Sequence, residues 1–171
     1  YLMTVFCLSW GTSKLGYSRE QFLILQMIGV VFFGIAIPLS AKLADRFDPR
    51  SVLIGAAVAL AVFGLVFAPL LASGSQASVL LCLSLGLALM GMTYGPLGAA
   101  LASLFPTAVR YTGASLTFNF AGIVGASLTP YAATWLATQF GLAAVGYYLS
   151  GAALITLGAL LLLSRTAMSA R

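Results

Sequence analysis

Gly95-Pro96-Leu97-Gly98-Ala99-Ala100-Leu101-Ala102-Ser103-Leu104-Phe105-Pro106-Thr107-Ala108-Val109-Arg110-Tyr111-Thr112-Gly113-Ala114-Ser115 joins two long uncharged runs, and the reading of the fold starts there. A Gly-Pro pair interrupts an apolar helical run, a short proline-bearing connector carries one arginine, and Thr112-Gly113-Ala114-Ser115 opens the next apolar run. Between Arg50 and Arg165, Arg110 is the only formal charge. A lone cation where two uncharged runs turn back belongs at a membrane surface, beside the mouth of whatever those runs enclose.

Composition agrees with this placement. Hydrophobic residues make up 61% of the chain and charged residues 6%, which excludes a water-soluble domain. Uncharged runs cover 21–41, 51–109 and 111–164. One helix needs about 20 residues to cross the hydrocarbon layer, so the second and third runs must each hold two spans. The expectation is an all-α, polytopic transmembrane bundle with spans at about 1–10, 21–41, 51–71, 78–104, 112–138 and 142–163. Tyr1–Trp10 is too short to cross alone and reads as the end of a helix that starts upstream, so the chain reads as a fragment. It shows no cleavable signal peptide.

The net charge of +5 does not point to nucleic acid, because the basic residues sit in connectors and at the end rather than on one face. Alternating the connectors across a bilayer puts Lys42, Arg46, Arg50, Arg110, Arg165 and Arg171 on one side and Lys14 and Arg19 on the other. Six against two places the first set, and the C-terminus, in the cytoplasm. Ser18, followed by Gln21, resembles a capped helix start, and Pro49 suits a first helical turn. Cys7 and Cys82 have no metal-ligand spacing and read as small apolar fillers. Both fall toward one membrane face, which leaves a bridge between them open.

Two stretches carry a resemblance to a known family. Gly95-Pro96, then Leu104-Phe105-Pro106-Thr107-x-Val109-Arg110-Tyr111-Thr112-Gly113-Ala114-Ser115-Leu116, resembles the tenth-to-eleventh helix junction of the metabolite:proton symporter family, within the major facilitator superfamily. Ala41-Lys42-Leu43-Ala44-Asp45-Arg46-Phe47-Asp48-Pro49-Arg50 is similar to that superfamily's Gly-x-Leu-x-Asp-Arg-x-Gly-x-Arg loop. Asp45, Arg46 and Arg50 match it, while Ala41 and Asp48 stand where the pattern has glycine. The likeness is strongest over about 91–131 and good at 41–50. It implies the C-terminal six-helix half of a twelve-helix transporter, its first helix truncated, with an N-terminal half as partner. Substrate would be held near the midplane between the halves.

The same resemblance gives the loop a gating role. Asp45 would meet the helix N-terminus at Thr112-Gly113, and Arg110, when the cytosolic side closes. The plain alternative is a solvated turn whose charges set topology. The pattern usually places a glutamate where this chain has Ser103, so the usual carboxylate partner of Arg110 is missing; Asp48 is a candidate replacement. Pro96 frees the Met92 carbonyl and is expected to kink its helix, with Gly95, as a moving part or as a static bend. Gly91-x-x-x-Gly95 reads as a close-packing motif.

Within the spans, Thr93, Tyr94, Ser115 and Asn119 fall at similar depth on neighbouring helices and are the candidate substrate contacts. A buried amide in lipid must be paired or face water, which makes Asn119 either a substrate ligand or an interhelical hydrogen-bond donor. Gln26 and Tyr1 are weaker candidates. Trp10, Trp135, Tyr131, Tyr147 and Tyr148 read as an interfacial belt.

No histidine is present, and Glu20, Asp45 and Asp48, the only acids, lie outside the expected spans. No nucleophile–base pair or metal-ligand set falls within them, which argues against an enzyme and implies no metal or cofactor. A proton carrier is therefore expected outside this chain. The function implied is proton-coupled symport of a small organic acid or zwitterionic osmolyte across a bacterial inner membrane. The partners would be the substrate, protons and the lipid bilayer. A sugar or drug transporter, and a non-transporting membrane subunit, are the rival readings.

Overall fold

The structure is a computed structural model that describes residues 1–163; Arg165 and Arg171, counted above toward the cytoplasmic set, lie outside the described residues. A π-helical turn, Leu2–Phe6, runs on into α1 (Cys7–Ser13). Then follow α2 (Arg19–Phe47), α3 (Pro49–Ala72), α4 (Gln76–Ser103), α5 (Arg110–Phe140) and α6 (Leu142–Leu162).

Local chemistry sets most of these boundaries. Ser18 caps α2 reciprocally with Gln21: the Gln21 amide donates to Ser18 Oγ, and the Ser18 amide to Gln21 Oε1, each at 3.1 Å. Asp48 caps α3, accepting from the Ser51 amide at 3.1 Å, and Pro49 occupies the first turn. Ser75 caps α4 through the Ser78 amide at 3.2 Å. Gly74 and Gly141 turn the chain at φ +66° and +82°, where a side chain would be strained.

Helices α2, α3, α4 and α6 are long and apolar enough to cross a membrane. At 31 residues, α5 has the length but is not among them, although a span was expected at 112–138. Ser115, Thr117, Asn119, Ser127, Thr129 and Thr134 dilute its apolar residues. The 29 residues of α2 rise about 43 Å, against about 30 Å of hydrocarbon. Glu20 and Asp45 therefore sit in its overhanging ends, although both are helical.

Without a water-driven hydrophobic force in lipid, helices associate where small residues let backbones approach. Two such seams hold the bundle. Along α2 and α4, a Cβ at Gly91 would lie 2.6 Å from the Phe33 carbonyl oxygen, and one at Gly95 2.6 Å from that of Ile37. Ser40, buried on α2, donates across the seam to the Gly91 carbonyl at 3.2 Å. Along α3 and α6, Gly64 and Gly146 face each other, and Ser150 Oγ donates to the Ala61 carbonyl at 2.7 Å.

The apolar core is lopsided. Phe6, Phe22, Phe67, Leu71, Val79, Leu83, Ala137 and Val145 form one large cluster at the end carrying connectors 14–18 and 73–75. There Tyr17 Oη donates to the Gly74 carbonyl at 2.8 Å, so both connectors share one end of the bundle. The opposite end is held by a small cluster of Leu53, Ala100 and Leu160. Cys7 and Cys82 are both buried in the large cluster as free thiols. Ile24, Val31, Ile35, Val62, Leu65, Ile155 and Leu161 are exposed on the outside, where lipid covers them.

Candidate functional site

The thinly packed end opens between α4 and α5. The connector folds back so that Phe105 lies on Gly113, where a Cβ would come within 2.6 Å of its ring. This small residue lets the first turn of α5 sit against the end of α4. Arg110, at the start of α5, donates from Nε to the Phe105 carbonyl at 3.4 Å, leaving its terminal guanidinium nitrogens for the opening. The resulting cleft, about 540 Å³, is lined by Gly98, Leu101, Arg110, Ser115, Phe118 and Asn119, with Thr107 and Tyr111 at its edge.

Within α5, Asn119 Nδ2 donates to the Ser115 carbonyl at 2.8 Å and reaches Ser115 Oγ at 3.3 Å. The amide is therefore bound within its own helix rather than across to a neighbour. Its Oδ1 is left as an acceptor, and the Ser115 hydroxyl keeps its proton for donation. Together with Arg110, the cleft offers a fixed cation, one donor and one acceptor against an apolar wall. That set can hold a small polar molecule bearing a carboxylate.

The other proposed contacts lie elsewhere. Thr93 Oγ1 donates to the Met90 carbonyl at 2.7 Å, and Tyr94 packs edge-on against Phe33 of α2 with ring centroids 5.4 Å apart. Neither lines the cleft with Ser115 and Asn119. A tyrosine beside the α2–α4 seam finds an aromatic partner on α2, and depth alone could not distinguish that face from the one toward α5.

Of the gating set, Gly95 is packed into the seam, and Pro96 is buried in a helix that stays continuous to Ser103. Asp45 and Arg46 are exposed, and the Arg46 guanidinium lies 5.6 Å from the centroid of the Phe47 ring. Among the described residues no side chain caps the N-terminus of α5, so the Asp45 latch is not made in this arrangement. Asp48 adopts φ +126°, ψ 147°, a region that belongs to glycine, and its carboxylate accepts from the Ser51 amide and, at 2.5 Å, the Ser51 hydroxyl. Ser103 Oγ donates to its own helix, at the Ala100 carbonyl.

Arg50 does something the sequence did not disclose. Its Nε donates to the Leu160 carbonyl at 2.9 Å and a terminal nitrogen to that of Leu161 at 3.2 Å. It thereby satisfies the open carbonyls at the negative end of α6. Gln26, ranked low, is buried, and its Nε2 donates to the Met3 (3.0 Å) and Thr4 (2.7 Å) carbonyls of the π-helical turn. A lone amide in an apolar run was the available signal; the irregular turn that it serves was not legible.

Long apolar helices joined by glycine seams, with a cleft between α4 and α5 that gathers a cation, an amide and a hydroxyl, define a polytopic helical membrane protein. The chain belongs to the Major Facilitator Superfamily, whose family profile matches residues 2–170. It is 46% identical over 97% of its length to the inner membrane metabolite transport protein YhjE of Escherichia coli (strain K12), covering 39% of that protein. It is 32% identical over 90% of its length to the citrate-proton symporter of Klebsiella pneumoniae, covering 35%. To the proline/betaine transporter of Escherichia coli (strain K12) it is 28% identical over 92%, covering 31%. The chain thus spans about two fifths or less of these relatives. No solved structure matches it. The fold and the family together place the chain in a superfamily of helical membrane proteins, beside relatives named as metabolite transport proteins.

Proposed function

We propose that the chain is the C-terminal half of a proton-coupled symporter for a small organic acid or zwitterionic osmolyte, working by alternating access against an N-terminal half. The observation that carries this reading is the α4–α5 cleft, where Arg110, Ser115 and Asn119 share one opening at the loosely packed end. A carboxylate is common to both substrate classes and suits the guanidinium. Relatives named as a citrate-proton symporter and a proline/betaine transporter support the same chemistry. The end bearing Lys42, Arg46, Arg50 and Arg110 faces the cytoplasm of a bacterial inner membrane, with the C-terminus inside. Glu20, Asp45 and Asp48 all lie at helix ends and no histidine is present, so the proton carrier belongs to the other half.

Substrate and proton then act by stabilising one arrangement of the two halves over the other. The test uses the full-length transporter in vesicles, with labelled citrate and labelled glycine betaine, with and without a pH gradient. Uptake of one of them should follow the gradient, and Asn119→Ala and Ser115→Ala should each raise its KM roughly two- to tenfold, the value of one hydrogen bond. Uptake indifferent to the gradient, or unchanged KM in both variants, refutes the proposal.

A further inference from the structure

A second cleft, about 610 Å³ and mostly apolar, runs along the π-helical turn and α1 to the start of α2, lined by Thr4, Val5, Leu8, Ser9, Thr12 and Arg19. Residues 4, 8, 9 and 12 recur at helical spacing, so their side chains share one face. That face is placed from behind: Gln26 of α2 grips the Met3 and Thr4 carbonyls, while Phe6 and Cys7 are buried in the large core. Thr12 Oγ1 donates back to the Leu8 carbonyl at 2.9 Å, and Ser13 Oγ to that of Ser9 at 2.7 Å. The Ser9 hydroxyl is exposed and engages no protein group among the described residues. Arg19 is likewise exposed and, among the described residues, has no acidic partner. One guanidinium and a free hydroxyl beside an apolar cleft would attract an anion, and here they stand at the end of the bundle opposite Arg110.

We propose that this cleft is an outer recognition site for the carboxylate of the transported molecule, with Arg19 as the attracting cation and the Ser9 hydroxyl as the donor beside it. The inference deepens the transport reading above and rests on it for the substrate, but not for the site. Each end of the bundle then presents one arginine beside a hydroxyl group, and a carboxylate finds a similar reception on either side. The apolar members, Val5 and Leu8, keep the opening narrow in polarity, so that a small acid is favoured over a bulk ion by what remains of it after the charge is met.

The experiment needs no transport. In the full-length protein, with Cys7 and Cys82 replaced by alanine in a cysteine-free background, Ser9→Cys is labelled from outside with impermeant thiosulfonates, one anionic and one cationic. Relative to each reagent's rate with a small thiol in solution, the anionic reagent should gain roughly fivefold over the cationic one from one nearby positive charge. Arg19→Gln should abolish the difference, and Arg19→Lys should keep it. Citrate or glycine betaine in the bath should slow labelling in the parent and not in Arg19→Gln. Equal normalised rates for the two reagents, no labelling from outside, or labelling that neither carboxylate can slow each overturns the proposal. Vesicles with and without phosphatidylglycerol provide the remaining arm: protection that appears only with the anionic lipid assigns the cleft to a headgroup and also overturns it. Unchanged KM in Asn119→Ala and Ser115→Ala would defeat the cytosolic-cleft reading while leaving this charge preference to be judged separately.

Discussion

Alanine at Gly95 tests the seam on which the bundle is built. Its Cβ would lie 2.6 Å from the Ile37 carbonyl oxygen, 2.8 Å from the Ala41 nitrogen, and closer still to Ser40 Oγ. Ordinary contact starts at 3.4 Å, so α2 and α4 must part by about 0.8 Å, because two of the three obstacles are backbone. Overpacking of this kind costs about 1–3 kcal/mol. Parting the helices also weakens the Ser40–Gly91 hydrogen bond, worth about 0.6 kcal/mol between membrane helices. Gly34 on the same helix pair is the control, since a Cβ there meets nothing within 4 Å. Both substitutions gain the same helix propensity, about 1 kcal/mol, which cancels in their difference. Unfolding of the full-length transporter titrated with sodium dodecyl sulfate should therefore place Gly95→Ala about 2–4 kcal/mol below Gly34→Ala. Adding Ser40→Gly to Gly95→Ala should restore only part of the loss, because the Ile37 carbonyl remains. Equal stability of Gly95→Ala and Gly34→Ala would refute the seam.

Two further expectations concern the turn between α2 and α3. Arg50→Ala should lower stability by about 1–2 kcal/mol and speed amide exchange in the last turn of α6, whose Leu160 and Leu161 carbonyls lose their donor. Arg50→Lys should fall between, keeping the charge without the fork; exchange unchanged in the alanine variant counts against the clasp. At Asp48, glycine relieves a φ of +126° while removing the Ser51 cap, whereas alanine keeps the strain and removes the cap as well. The alanine variant should therefore be less stable than the glycine variant by about 1–2 kcal/mol in the same titration, and the reverse order would show that the backbone there is not strained.

Much of this fold was legible because lipid imposes a narrow choice. Uncharged runs longer than one crossing, punctuated by Lys42–Arg50 and by Pro106–Arg110, could only be helices turning at a surface. Gly91 and Gly95, at four-residue spacing, told of close packing on α4, though not that α2 is the partner. Small residues were silent on the α3–α6 seam, where Gly64 meets Gly146 from the far side of the sequence. Ser115 and Asn119 could be paired by their spacing on one helix, and they do meet. Tyr94 could not be assigned a side, because depth in a bilayer follows from counting residues while direction depends on which neighbour packs where. Asp48 shows the same limit in another form: its departure from glycine was visible, but not that the backbone kept the glycine conformation and put the carboxylate to use as a cap.

The α2–α4 seam stops at Gly95, one residue before Pro96. From Ser40 back toward the core the two helices are keyed together and must travel as a single plank. Past that last tooth, the proline has withdrawn a rung from the ladder at Met92, and the buried side chains that remain on α4 are its own ring and Ala100. The final two turns of α4, which form one wall of the cleft at Gly98 and Leu101, are held instead by Ala100 against Leu53 and Leu160. In the proposed transport cycle, a molecule lodged against Asn119 would bear on that lightly held stretch.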